Sequence, residues 1–492
     1  MRWRPAYSAS MKLDRTTCYK AVAARDRRFD GWFFVGVSST GIYCRPVCSV
    51  RTPQFANCHF FPSAAAAEKN GFRPCLRCRP ELAPGHGIFD AASRLAQAAA
   101  LLIDDGFLNL ADMPQLADRL GITERHLRRI FNVEFGVSPV EYAQTQRRLL
   151  AKRLLSDTAL PVTEVALAAG FGSIRRFNSL FKQHYGFAPS RLRQRSTSTV
   201  QSDTMTFELA YRPPLAWDAL LDFLAARAIA PIERVDQRVY RRTLALTVGA
   251  RRYCGWLVVE NVPGRHALKV TLPATLSGAV PQALGKIRRL FDLACRPDVI
   301  DLHLGPMAQR LPGMRVPGTV DGFEIALRAI IGQQISVAGA RCLLTRLVER
   351  FGEPLAAAPA GLTHLFPTAA ALADASSGEV QAIGLTQART ATVMAVTQAV
   401  ATGALRIDPL APLDETLAAL RSIRGIGDWT AQYIAMRGLG WPNAFPAGDL
   451  VLQRHFGLSS AKALGVHAEQ WAPWRAYAAL HAWRQHHEES TA

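Results

Sequence analysis

The chain has 492 residues, 49% of them hydrophobic, which is too long for a single core and points to roughly two to four domains. Lys and Arg outnumber Asp and Glu by 58 to 39, a net charge of +19 that favours a polyanionic partner, nucleic acid or an anionic membrane surface. Nine cysteines, clustered rather than spread, exclude a secreted disulfide scaffold of this size and favour metal binding or catalysis in a reducing compartment.

The segment Met1–Lys20 is charged throughout and has no apolar signal core, and no later stretch has the length of a membrane span. The expected address is therefore the bacterial cytoplasm, with no membrane partner. Residues 1–200 hold 29 basic and 15 acidic residues, against 29 and 24 in the remainder, so the basic surplus is concentrated in the first two-fifths.

Cys44 and Cys48 stand in a CRPVC turn, Cys75 and Cys78 in a CLRC turn, with 26 residues between the pairs. Each pair has the bite of a metal knuckle, and four thiolates suit one tetrahedral Zn²⁺. On spacing alone such a site is a structural scaffold. The flanking residues Thr40–Cys48 (TGIYCRPVC) and Gly71–Cys78 (GFRPCLRC) closely resemble the Ada-type zinc domain over about the first 80 residues. That resemblance implies a small α+β zinc domain over residues 1–85 in which Cys44, itself a ligand, takes a methyl group from a methyl phosphotriester in DNA. A thiolate is the competent nucleophile for such an attack. Methylation would remove one unit of negative charge near the DNA phosphates, worth on the order of 0.5–2 kcal/mol per phosphate, and so raise promoter affinity. Arg45, Arg51, Arg73, Arg77 and Arg79 are candidate phosphate contacts.

Pro80–Gly87 (PELAPGHG) then separates this segment from helices expected to begin near Phe89. Leu116–Thr123 reads as a helix, a glycine turn and a capping threonine that opens a second helix through Phe135; Val162–Gly170 and Phe171–His184 repeat the pattern with Ser173 as cap. One such copy is equally a plain helical hairpin. The phrase VTEVA…GFGS…F…FK…YGFAP from Val162 to Pro189 resembles the AraC-type DNA-binding family, covering an all-α double helix-turn-helix over 86–195. By that resemblance His126, Arg128 and Arg129 in one recognition helix, and Arg175, Arg176 and Asn178 in the other, contact double-stranded DNA. RNA polymerase at promoters is an implied partner, and a monomer suffices.

Arg195–Thr206 (RSTSTVQSDTMT) has no helical or strand period and reads as a linker, placed at 196–204. The remainder, 205–487, is expected to be α+β: a small antiparallel sheet subdomain over 205–281, with alternating stretches at Thr243–Val248 and Leu268–Leu272, then a helical body from Gln282 onward.

Leu420–Tyr433 (LRSIRGIGDWTAQY) has the form of a helix-hairpin-helix, whose Gly425 and Gly427 let backbone N–H groups approach a phosphate. Asp449 follows in FPAGDL; it has a plain role as N-cap of Leu450–His455. Its spacing from the hairpin, with LDFLAARA at 221–228, LFDLAC at 290–295, AIIGQ at 329–333 and the stretch Trp474–Trp483, resembles AlkA-type glycosylases of the helix-hairpin-helix superfamily. The resemblance implies that Asp449 assists hydrolysis of the N-glycosidic bond of alkylated purines such as 3-methyladenine. Trp429, Tyr433, Trp483 and Phe223 would line an aromatic base pocket, favouring cationic bases through their π faces. Core packing is the alternative for each. Gln333 and Gln334 fall at the DNA-facing loop, Gln334 where the family has an apolar wedge, and Leu450 stands where it has an aromatic.

Relatives that also cut the DNA backbone have lysine at the position of Trp429, so a monofunctional glycosylase is expected. No cysteine follows Cys342, so no iron–sulfur cluster is expected beside the one Zn²⁺. The Pro-Cys-His-Arg segment of O6-alkylguanine acceptors is absent. Two other readings stay open: a transcription regulator whose glycosylase-like half only binds DNA, and a repair enzyme whose first half only tethers it.

Overall fold

The computed structural model describes residues 14–86, 94–194 and 203–491, with side chains left aside at 194 and 489–491. The expected helix start near Phe89 and most of the expected linker lie outside these residues. Thr204–Thr206, expected in the linker, already belong to the strand Thr204–Ala210, because Met205, Phe207 and Leu209 alternate inward and must be covered.

The first region pairs a short helix, Arg15–Ala24, capped by the Asp14 carboxylate, with a four-stranded sheet. Phe34–Val37 is antiparallel to both Ile42–Cys44 and Cys58–Phe61, and Ile42–Tyr43 pairs in parallel with Arg73–Pro74. That parallel pairing brings two distant sequence segments side by side.

The second region is all helical. Met113–Arg119 and Glu124–Phe135 form one helix-turn-helix, the second helix capped by Thr123 and ended by Gly136 at φ +72°. Val162–Ala168 and Ile174–Tyr185 form the other, capped by Ser173 and ended by Gly186 at φ +78°. Both ends follow the expected chemistry of a hydroxyl cap and a left-handed glycine stop. The long helix Pro139–Asp157, opened by a Ser138/Glu141 capping box, joins the two.

In the third region five antiparallel strands stand in the order Thr204–Ala210, Ala267–Pro273, Arg251–Val262, Val239–Val248, Glu233–Asp236. The helical body starts at Val280–Leu290. It is interrupted by a short strand pair, Glu353–Pro354 with His364–Leu365, which the sequence reading had continued as helix. At its centre lies Gly322–Ile331, buried on nearly every face. A buried ionic network ties sheet to body: Arg242 reaches Glu324 at 2.7 Å and Glu233 at 3.2 Å, and Arg328 pairs with both carboxylates.

The three regions pack into one body. Glu68 and Glu81 of the first are buried against the long helix, on Arg148 at 2.6 Å and Lys152 at 2.7 Å. One apolar cluster runs from Leu154 of the long helix and Val165 and Phe177 of the second helix-turn-helix into Phe207, Leu244 and Leu257 of the sheet.

Candidate methyl-acceptor and base-excision sites

Cys44 ends its strand, and Cys75 directly follows the parallel partner strand, its N–H donating to the Tyr43 carbonyl at 3.0 Å. Cys48 sits one turn after Cys44, its N–H on the Arg45 carbonyl, and Cys78 closes the second turn. All four sulfurs lie within 4.8 Å of one another, and Cys44, Cys48 and Cys75 are buried. The Arg45 and Arg77 backbone N–H groups donate to the sulfurs of Cys78 and Cys75 at 3.4 Å, an arrangement that stabilises thiolates.

Hydrogen bonds to the sulfurs of Cys48, Cys75 and Cys78, together with burial, push the Cys44 thiol well above its ordinary value. Four thiolates this close repel one another strongly unless a divalent cation sits among them. The donor set thus fits Zn²⁺, with Cys44, Cys48, Cys75 and Cys78 as its ligands.

Arg51, Arg73 and Arg77 are exposed around this cluster, as a phosphate surface requires. Arg45 and Arg79 correct the sequence reading. Arg45 is 8% exposed and turned inward, its Nε on Asp30 Oδ1 at 2.9 Å, its Nη2 on Asp30 Oδ2 and its Nη1 on the Cys78 carbonyl at 3.2 Å. Arg79 is committed to Asp157 at 2.7 Å and Glu81 at 3.1 Å. Guanidiniums drawn inward onto buried acceptors in this way are not set out towards DNA.

In the recognition helices Arg128, Arg129, Arg175, Arg176 and Asn178 are exposed and His126 is partly so. Arg128 pairs along its own helix with Glu124, and Arg129 with the His126 ring at 3.2 Å.

In the third region, Leu413–Ser422 and Asp428–Arg437 form the helix-hairpin-helix. Gly425 has φ +94°, and an added Cβ there would lie 2.1 Å from Thr392 Oγ1; Gly427 starts the second helix with open space around it. Gln333 does not face outward freely: its Nε2 donates to the Gly425 carbonyl at 3.0 Å and to Thr430 Oγ1 at 2.8 Å, and Arg389 holds its carbonyl at 2.6 Å. Gln334 is exposed at the loop tip at φ +54°.

Asp449 caps Leu450–His455, its Oδ1 accepting from Val451 and Leu452 N–H at 3.0 Å. It does more than cap. Trp429 Nε1 donates to Oδ2 at 2.9 Å and Trp483 Nε1 to Oδ1 at 3.1 Å, so the carboxylate is fixed between two indoles. Trp429 and Tyr433, one helical turn apart, stack at 5.4 Å and 9°, and Trp483 lies 6.3 Å from Tyr433.

Phe223 joins this cluster but not as an open face: Arg227 lies 3.8 Å and Arg437 5.2 Å from its ring centroid. Arg437 also donates to the Tyr433 hydroxyl at 3.0 Å. Burial alone would raise the Tyr433 phenol, but Arg437 and Arg227 outweigh it and hold the group below its usual range. These two arginines were missed in the sequence, although Arg227 lies within the LDFLAARA segment that drew attention to Phe223. Two guanidiniums thus lie against the aromatic cluster, and their charge opposes the expected cation–π preference for cationic bases.

Four family models match the chain: the metal binding domain of Ada over residues 17–81, a helix-turn-helix domain over 116–195, the AlkA N-terminal domain over 206–321, and the HhH-GPD superfamily base excision DNA repair protein over 327–463. The chain is 37% identical over 488 residues to the probable bifunctional transcriptional activator/DNA repair enzyme AlkA of Mycobacterium tuberculosis H37Rv, covering 96% of this chain and 97% of that one. It is 37% identical to DNA-3-methyladenine glycosylase 2 of Escherichia coli K12, over 56% of this chain and 96% of that protein. It is 33% identical to the bifunctional transcriptional activator/DNA repair enzyme AdaA of Bacillus subtilis 168, over 36% and 82%.

Proposed function

Because the chain belongs to the family of bifunctional Ada/AlkA transcriptional activators and DNA repair enzymes, we propose that it accepts methyl groups from DNA at Cys44, regulates promoters, and excises alkylated purines at Asp449. It is a DNA-alkylation repair and response protein. The observation that carries the enzymatic half is the Asp449 carboxylate, fixed by two indole N–H groups beside a stacked aromatic pair.

An alkylated purine carries positive charge and leaves readily, so the site must hold a flipped nucleotide and offset positive charge developing on the sugar. Asp449 supplies that charge from a fixed position, and its indole partners prevent it from swinging away. Trp429, Tyr433 and Trp483 form the wall against which the base rests. Trp429 in place of a lysine makes the reaction hydrolysis alone. Gly425 and Gly427 hold the strand, and the exposed Gln334, at the tip of its own loop, stands where the family has an apolar wedge.

In the first region Cys44, Cys48, Cys75 and Cys78 would hold one Zn²⁺, which keeps the sulfurs ionised at neutral pH. Cys44 Sγ bonds to the methyl carbon as the phosphate oxygen departs, leaving an ordinary phosphodiester. The cluster then carries one negative charge fewer, and Arg51, Arg73 and Arg77 meet the phosphates with less opposition. His126, Arg128, Arg129, Arg175, Arg176 and Asn178 read the promoter, where RNA polymerase is recruited by a single copy of the chain. Domain limits at 85, 195 and 205 and a cytoplasmic address belong to the same reading; among the described residues no helix is long and apolar enough to cross a membrane.

Release of 3-methyladenine from methylated duplex DNA tests the enzymatic half. Wild type releases it and Asp449→Asn slows release by about a hundredfold or more, the scale of losing a fixed charge at a reacting centre. Undiminished release by Asp449→Asn removes that carboxylate from the reaction, and no release by wild type favours the reading in which this half only binds DNA.

A further inference from the structure

A fully enclosed side chain ties the zinc region to the base-excision region. Arg212, 1% exposed, follows the first strand of the five-stranded sheet. Its Nη2 donates to the carbonyls of Asp30 at 2.9 Å and Gly85 at 3.0 Å, and its Nη1 to the carbonyl of Ala294 at 2.8 Å. One guanidinium thus grips both regions.

Each end of that grip leads to a reacting group. On the zinc side, the Asp30 carboxylate holds Arg45, the residue after Cys44, and Arg45 also holds the Cys78 carbonyl. On the other side, the Arg212 carbonyl accepts from buried Arg315 at 2.6 Å, and Arg315 donates to the Asp292 carbonyl at 3.2 Å. Tyr477 donates to the Asp292 carboxylate at 2.7 Å. Tyr477 lies on the helix Arg475–Thr491, which also carries Trp483, and Trp483 donates to Asp449. Trp32 covers the seam, with the Arg296 guanidinium 4.9 Å and that of Arg212 5.8 Å from its ring.

We propose that Arg212 is a positioning residue that couples the two repair sites: methylation of Cys44 changes how tightly the base-excision site holds damaged DNA. The inference rests on the activities proposed above. The input is local, since methylation removes one negative charge from the sulfur cluster against which Arg45 is held. The Arg45–Asp30 pair and the Asp30 carbonyl are then free to settle in a new balance, and Arg212 shares that carbonyl. A typical energetic coupling between two sites is about 5- to 150-fold in affinity.

The test uses the full-length, zinc-loaded chain before and after methylation at Cys44. Affinity is measured for a short duplex containing an abasic-site analogue and for an undamaged duplex of the same length. The ratio of the two affinities isolates the base-excision site from the general gain in DNA binding that the charge change produces. Wild type is expected to shift this ratio at least about fivefold on methylation. Arg212→Met is expected to shift it less than about twofold while both methyl transfer and base release remain measurable; Arg212→Lys, which retains the charge and part of the donor set, recovers part of the shift.

Should Arg212→Met not fold, Asp30→Asn serves, because it weakens the Arg45 pair and leaves the carbonyl contacts to Arg212 in place; it too reduces the shift. An unchanged ratio in wild type that performs both reactions overturns the coupling and leaves the functional reading intact. A full shift in Arg212→Met or Asp30→Asn assigns any coupling to another route and overturns the role of this seam. Loss of methyl transfer or base release in wild type overturns the functional reading and the coupling with it.

Discussion

In the proposed reaction Asp449 combines a structural and a chemical role in one side chain. It caps a helix and also accepts two indole N–H groups, and the first fact is no argument against the second. The two roles separate by substitution. Asn keeps a capping oxygen but sets its NH2 against the Trp429 indole N–H, so Asp449→Asn should lose base release and the Trp429 hydrogen bond while keeping the cap, whereas Asp449→Ala should also lose the cap, about 0.5–2 kcal/mol of stability. Thermal unfolding of the two variants checks this; equal destabilisation would mean that the charge itself, rather than the cap, holds the helix. Cys44, Cys48, Cys75 and Cys78 were legible in the sequence because knuckle spacing is a local signal. Arg45 was misread for the opposite reason. Its partner Asp30 lies in a segment with no motif, and the companion contact from Arg212 to Asp30 spans 182 residues.

At the scale of elements, the helix-turn-helix pairs were legible down to their N-caps, since Thr123 and Ser173 act on their own helices. The start of the strand at Thr204 was not, because the Ser/Thr-rich run before it continues through Thr204 and Thr206, although Met205, Phe207 and Leu209 alternate in the sequence itself. The hairpin glycines differ in a way that the sequence conceals. Gly425→Ala places a Cβ 2.1 Å from Thr392 Oγ1 at φ +94°, so it should destabilise the chain by about 1–3 kcal/mol. Gly427→Ala meets nothing within 4 Å and has an ordinary φ of −86°, so it should fold normally and weaken duplex binding only through closer crowding of the strand. Melting temperature and duplex affinity measured together distinguish the two; a Gly427→Ala variant that binds duplex as wild type removes that glycine from the strand contact.

For the whole molecule, three family likenesses in sequence gave the parts but not their packing. The shared apolar cluster, the ion pairs on the long helix and the Arg212 grip involve residues far apart in the chain, and no periodicity announces them. The seam also carries a titratable group. His86 packs on Trp32 at 4.5 Å with its Nε2 3.0 Å from the Gly31 carbonyl. Burial, and then the charge of Arg212, push it down to about 4 from an ordinary 6.5. A depressed value in the folded state means that the neutral ring is favoured. Its contribution to stability is therefore complete above pH 6.5 and falls away as pH drops from 6.5 towards 4, reaching about 2 kcal/mol of loss at pH 5. His86→Gln should flatten the acid side of the melting profile; an unaltered acid profile would place the sensitivity elsewhere, His481 being the other buried imidazole held near 4.

The central claim is that the sulfur cluster is a reagent and not only a scaffold. The most direct measurement incubates the zinc-loaded chain with duplex DNA containing methyl phosphotriesters and locates any transferred methyl group by mass spectrometry of the digested protein. One added methyl is expected on the peptide containing Cys44 and none in Cys44→Ser, with promoter affinity rising only in the methylated wild type. A methyl group on a different cysteine, or a zinc-loaded protein that remains unmodified, would contradict this claim.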